Sequence, residues 1–249
     1  MGKSVRLDKL LADVGAGTRS EVKKFIQKGQ VQVNGFPVKQ PQEKVDPEKD
    51  QVSLNGVVIG TQPEFVYYLL HKPQGCISAT EDNRDKTVME YVPSKRKGLF
   101  PVGRLDKDTE GLLLITDDGA LAHALLSPKR HVEKTYFARV EGLITQDDIH
   151  AVEKGLDIGE DKLTLPARLE IADLFPEDNR SEIYLTICEG KFHQVKRMIA
   201  ALGKKVTYLK RLSMGPLTLS DDLAIGDCRP LTEQEVDMLK TAVSRPQEK

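Results

Sequence analysis

The segment Val102–Gly119 limits what this chain can fold into more than any other stretch of comparable length. Arg104-Leu-Asp106 opens a short polar run, Lys107-Asp-Thr-Glu110, and Gly111 then releases the chain into Leu112-Leu-Leu-Ile115. Four consecutive apolar residues bounded by polar turn formers read as a buried strand. An acid carried on a loop and braced by such a strand is built to aim one carboxylate oxygen at something. The chain must therefore supply a sheet to bury the strand and a partner for the acid.

At 249 residues the sequence is long for one simple core and comfortable for two domains. Its 39% hydrophobic and 30% charged residues belong to an ordinary globular protein, which excludes disordered and fibrous classes. No run approaches the roughly 18 apolar residues of a membrane span. The start, Met1-Gly-Lys-Ser4, leads into a charged amphipathic segment and not an apolar signal core. Cys76, Cys188 and Cys228 are widely spaced and odd in number, against both a disulfide framework and a Cys-x-x-Cys metal site. The expectation is a reduced, cytoplasmic protein without a structural metal.

Net charge is −1, yet the charge is sorted along the chain. Residues 1–35 carry Lys3, Arg6, Lys9, Arg19, Lys23, Lys24 and Lys28 against Asp8, Asp13 and Glu21. A second basic block runs from Lys191 to Arg211 with no acid inside it. Separation of sign on this scale suits phosphate binding on selected faces.

In the first sixty residues Leu7, Leu10, Leu11 and Val14 form one stripe of a short helix, stopped by Gly15-Ala-Gly17. Thr18-Arg-Ser-Glu21 reads as a capping box for a second helix, with Val22, Phe25 and Ile26 inward and Gly29 as its stop. Val31 and Val33 alternate with polar residues, Asn34-Gly35 is a hairpin turn, and Pro37 marks an edge strand. Leu54-Asn-Gly-Val57 is a further turn, and Gly60-Thr-Gln-Pro-Glu64 reads as a linker. The domains are set at 1–61 and 62–249. Val5–Ala12, Thr18–Glu21 and Gly29–Gly35 together resemble the S4 domain, an RNA-binding module. That resemblance implies a grip on structured RNA through phosphates and shape, with Arg6, Lys9, Arg19 and Lys23 on the binding face.

Beyond the linker, strands are expected at 65–71, 112–116, 134–140, 169–173, 181–188 and 205–212, and helices at 119–126, 145–154 and 193–202. Strand content exceeds helix content without a repeating strand–helix unit, which points to an α+β fold on a mixed or antiparallel sheet. Three pieces of this region, Arg104-Leu-Asp106, Ser127–Tyr136 and Glu189–Met198, resemble motifs of the pseudouridine synthases of the RsuA and RluA type. His193-Gln-Val-Lys-Arg197, with Arg6-Leu-Asp-Lys9, is closest in pattern to the RsuA branch, which modifies small-subunit ribosomal RNA. Large-subunit relatives usually differ at the His-Gln step.

The resemblance implies Asp106 as the catalytic aspartate, Tyr136 as the residue against the target base and Lys196 as the cation beside the acid. Arg104 would fill the space left by a flipped nucleotide or hold phosphates. Lys129, Arg130, His193, Gln194 and Arg197 complete the expected RNA-binding set. The implied reaction isomerises one uridine, position 516 of 16S rRNA, with the RNA held in a partly assembled subunit. A large-subunit site, or a non-catalytic rRNA-binding assembly factor, are the alternatives.

That chemistry explains the residue types. Breaking the sugar–base bond, turning the base and rejoining it through carbon is redox-neutral and loses no group, so no cofactor is called for. It needs one ionised oxygen near the sugar and base edge, and a cation to keep that oxygen charged once RNA excludes water. The target atom is hidden in a stacked helix, so the nucleotide must be extruded. Asp106-Lys-Asp-Thr-Glu-Gly111 also imitates a calcium loop, but the twelfth position is Asp117 and strand residues intervene. The five histidines lack zinc spacing, and no Gly-x-Ser-x-Gly elbow is present. A monomer without membrane contact is the expected state.

Overall fold

The computed structural model describes residues 4–47, 49–59, 64–94 and 96–244. The chain divides into two compact units, Met1–Glu64 and Phe65–Lys249. The expected linker positions 60–63, and Lys3, lie outside the described residues. Among the described residues no helix is long and apolar enough to cross a membrane.

In the first unit, β1 (Val5–Arg6) leads into α1 (Leu7–Asp13), and α2 (Arg19–Gln27) packs against α1. Leu7, Leu10, Leu11, Val22 and Ile26 bury between them. The capping box is complete. Glu21 N–H donates to Thr18 Oγ1 at 3.3 Å, and Thr18 N–H donates to Glu21 Oε2 at 2.8 Å. The hydroxyl of Thr18, and then its N–H, hold the Glu21 carboxyl below the usual range.

Strands β2 (Val31–Val33) and β3 (Phe36–Val38) form the expected hairpin; β4 (Lys44–Val45) pairs with β1, and β5 (Val52–Leu54) and β6 (Val57–Ile59) complete an antiparallel sheet ordered β3-β2-β5-β6. Asn34-Gly35 and Asn55-Gly56 all have positive φ, as tight hairpins require. Pro37 sits on the edge strand, where a missing N–H is tolerated. Arg6 is ion-paired to the buried Asp8 at 2.9 Å, while Lys9, Arg19 and Lys23 are exposed.

Among the described residues the second unit is built on nine strands: β7 (Tyr67–Lys72), β8 (Phe100–Pro101), β9 (Glu110–Thr116), β10 (Lys134–Glu141), β11 (Arg168–Phe175), β12 (Arg180–Ile187), β13 (Lys205–Met214), β14 (Leu217–Thr218) and β15 (Cys228–Pro230). The main path runs β11-β12-β10-β13-β9-β7-β15, with β8 on β9 and β14 on β13. Every pairing is antiparallel except β13 with β9, so the sheet is mixed.

Helices α3 (Gly119–Leu126), α4 (Gln146–Lys154), α5 (Gln194–Ala201) and α6 (Glu233–Ser244) cover the sheet. Leu113 and Ile115 of β9 join a cluster with Val152 of α4 and Val195, Met198 and Ile199 of α5. Leu112 and Leu114 join another with Leu121 and Leu125 of α3 and Leu239 of α6. A strand covered on both faces has no solvent side, which is why 112–115 is uniformly apolar and does not alternate.

The expected strands and helices are present with ends shifted by a few residues. The short strands β8, β14 and β15 were not expected from the sequence, and neither was α6. Helix α6 opens with Glu235 N–H on Thr232 Oγ1 at 3.2 Å and Thr232 N–H on Glu235 Oε2 at 2.8 Å. Arg229 adds two bonds to the same carboxylate, at 2.8 and 2.7 Å. The guanidinium first, and the Thr232 N–H after it, bring Glu235 down to about 2.

Candidate active site

The loop before β9 is fixed residue by residue. Arg104 is exposed, Leu105 is buried in the cluster that also holds Tyr136, and Asp106 turns toward α5. Ser78 brackets Leu105 on both sides, its Oγ donating to Leu105 O and accepting from Leu105 N–H, each at 3.0 Å. Gly75 N–H donates to Lys107 O at 2.7 Å, and Thr109 N–H to Asp106 O at 3.0 Å. Beneath the loop Lys72, with no exposed surface, donates Nζ to Pro73 O and Asp106 O at 3.0 Å and to Thr109 O at 2.9 Å. Burial lowers the Lys72 pKa, opposed by Cys76 and then by Asp106 and other carboxylates. Nothing in the sequence reading singled out Lys72; its signal was a lysine ending a strand that is otherwise mostly apolar.

Gly111 does more than release the chain. It sits inside β9 at φ +113, where a Cβ would overlap the backbone of Arg211 on the parallel strand β13. That close approach puts Leu185, Tyr136, Arg211, Gly111 and Lys72 in register across five neighbouring strands. Tyr136 is 7% exposed, and Arg211, also buried, donates Nε to Leu112 O at 2.8 Å. The candidate base platform and the loop scaffold thus belong to one row of one sheet.

Asp106 meets two groups from the start of α5. Lys196 Nζ lies 3.1 Å from Oδ2, and His193 Nε2 lies 3.4 Å from Oδ1. Lys196 also reaches Asp108 Oδ1 at 2.6 Å. Burial works to lower the Lys196 pKa, but the hydrogen bonds to Asp108 and Asp106 outweigh it and the pKa is raised. The same bond from Lys196 is the main reason the Asp108 carboxyl is lowered. The acid is therefore met by a charged ammonium at neutral pH, with Asp108 as an outer brace the sequence reading did not name.

The remaining candidates fall into different environments. Gln194 is 4% exposed, its amide donating to Glu189 Oε1 at 2.8 Å and its oxygen accepting from Lys191 N–H at 2.9 Å. In this structure Gln194 braces the turn before α5. Arg197 is tied to Glu160 at 2.7 Å and to Phe192 O at 3.1 Å, so it too first serves the turn. His193 adopts a left-handed φ of +49 that starts α5 and turns its ring to Asp106. Lys129 and Arg130 lie on a 3-10 turn, Pro128–Arg130, and line a cleft of about 360 Å³ with His123, Ala124 and Ser127. That cleft does not include Asp106. Arg6, Lys9, Arg19 and Lys23 belong to the first unit.

Comparison with known proteins bears on this arrangement. The RNA pseudouridylate synthase family matches residues 66–201, and the S4 domain family matches residues 5–52. An uncharacterized RNA pseudouridine synthase of Bacillus subtilis, YtzG, is 48% identical over 237 residues, covering 94% of this chain and 98% of that one. Ribosomal small subunit pseudouridine synthase A of Escherichia coli is 40% identical over 235 residues, 93% and 98% of the two chains. Ribosomal large subunit pseudouridine synthase B of Bacillus subtilis is 39% identical over 236 residues, 94% and 95%. A crystal structure of a pseudouridylate synthase superposes with a TM-score of 0.65 at 39% identity, covering 95% of this chain and all of the other. The chain belongs to the RNA pseudouridylate synthase family, in its S4-bearing RsuA/RluB branch.

Proposed function

We propose that the protein converts one uridine of 16S rRNA, position 516, to pseudouridine, with Asp106 as the catalytic aspartate. The observation that carries this reading is the Lys196–Asp106–His193 contact set on a loop held from below by Lys72. Lys196 sets a charged ammonium against the Asp106 carboxylate at the point where RNA would expel water. Tyr136 supplies an aromatic wall for the extruded uracil, and Arg104 is exposed beside the acid, free to enter the gap in the RNA. The product is an isomer of the substrate, so the step is closed by the acid and the RNA alone. Arg6, Lys9, Arg19 and Lys23 of the S4 domain, with Lys129 and Arg130 on the catalytic unit, hold phosphates and give affinity without base reading.

Two observations favour the small-subunit target. Several relatives at 38–41% identity are named small subunit synthases, beside one at 39% named a large subunit synthase, and His193, at the step where large-subunit enzymes usually differ, touches the acid itself. A monomer working in the cytoplasm on a partly assembled subunit completes the proposal. The test is pseudouridine mapping after incubation with 16S rRNA, 23S rRNA and assembly intermediates of both subunits. One modified site in 16S rRNA is the expected result. Modification confined to 23S rRNA moves the protein to the other target, and none on any RNA makes it a binding factor.

A further inference from the structure

Phe192 is 70% exposed, yet its ring is held in place. It stacks on the His193 imidazole with centroids 3.8 Å apart and 20° between planes, and the far edge of that imidazole is the one 3.4 Å from Asp106. The turn beneath it is fixed by the left-handed His193, by the buried Gln194 amide and by Arg197 donating to Phe192 O. Scattered exposed apolar side chains are ordinary. This one differs because its turn is fixed and the histidine it stacks on contacts the candidate acid. Arg197 Nη1 donates to Phe192 O while its guanidinium is also paired to Glu160. A flat, exposed aromatic face stacked on the histidine that meets Asp106 fits an unstacked nucleobase.

We propose that Phe192, backed by His193, is a stacking platform for the base adjacent to the target uridine. It is a positioning contact for the RNA strand. His193 meets Phe192 with its ring face and Asp106 with Nε2, so the platform is set off from the carboxylate and takes a neighbouring base, leaving the target uracil to Asp106. The identity of that neighbour rests on Asp106 being the reacting acid. The stacking itself does not.

The chain contains no tryptophan, so Phe192→Trp places a single indole on the platform. With 16S and 23S rRNA transcripts as probes, the transcript that is modified quenches this fluorescence, whereas heparin, a polyanion without bases, leaves it unchanged. Phe192→Ala raises KM for that transcript roughly tenfold, as loss of one base–aromatic stack does. In that variant kcat changes less than about threefold and the melting temperature holds. Phe192→Tyr restores KM. An unquenched indole at saturating RNA, or an unchanged KM in Phe192→Ala, overturns the proposal. Adding Asp106→Asn to Phe192→Trp separates the two readings: the quench persists in either case, and pseudouridine formation is lost only where Asp106 is the reacting group.

Discussion

Two lysines approach the Asp106 loop from opposite sides and do different work. Lys72 is fully buried and touches backbone carbonyls, at 2.9–3.0 Å, with no carboxylate among its hydrogen-bond acceptors. Lys196 keeps about a quarter of its side chain exposed and contacts two carboxylates. The first fixes where the loop runs; the second sets a positive charge 3.1 Å from the oxygen the loop presents. Aim and charge pairing are therefore separable, and substitutions on the two lysines should fail differently.

The sharpest separation comes from Lys196→Met. Removing a charge-stabilising donor from a reacting centre costs on the order of 1000-fold in kcat. The pair is partly solvated, so unfolding free energy changes by at most about 1 kcal/mol. Single-turnover rates beside urea titrations measure both. Lys72→Met is expected to lower both quantities. It leaves Pro73 O and Thr109 O without this donor, although losing a desolvated ammonium offsets part of the cost, for a net loss of about 2 kcal/mol. The loop then shifts its aim, and a misplacement of about 1 Å costs about 100-fold in rate. Equal stability losses in the two variants would break the comparison.

The smallest effect is expected from Asp108→Asn, below about threefold in kcat at neutral pH, because this carboxylate touches Lys196 from the solvent side. Its pH dependence has a defined sign. Asp108 is lowered, so its contribution is present above the ordinary carboxylate value of 3.8 and is lost as pH falls through the lowered value. Lys196 is raised, so its contribution is present below the ordinary 10.5 and is lost only as pH rises through the raised value. Between those limits the Asp108→Asn effect should be flat, which a rate profile over pH 5–9 checks.

The sequence reading located what local patterns encode. The Thr18–Glu21 box, the Asn-Gly turns and the apolar run 112–115 each specify structure within a few residues. What escaped it depends on distant partners. Lys72 reads as a strand-end surface lysine until the loop that buries it is in place. Gln194, in a motif associated with RNA, turned inward because Glu189 and the Lys191 N–H needed a bridging amide. Gly111 looked like a release point, and its close approach to Arg211 becomes visible only once β13 pairs in parallel. Helix α6 was the avoidable omission. Thr232-x-x-Glu235 followed by Val236, Leu239 and Val243 carries the same box and stripe that identified α2.

Replacing Asp106 by asparagine keeps the size of the side chain and removes its charge. Pseudouridine mapping on rRNA, paired with a binding isotherm on the same preparation, is the most direct examination of the account. The expected result is no detectable pseudouridine while RNA affinity stays within about twofold, since the proposed phosphate contacts lie elsewhere. Pseudouridine formed by the asparagine variant at the wild-type rate would contradict it.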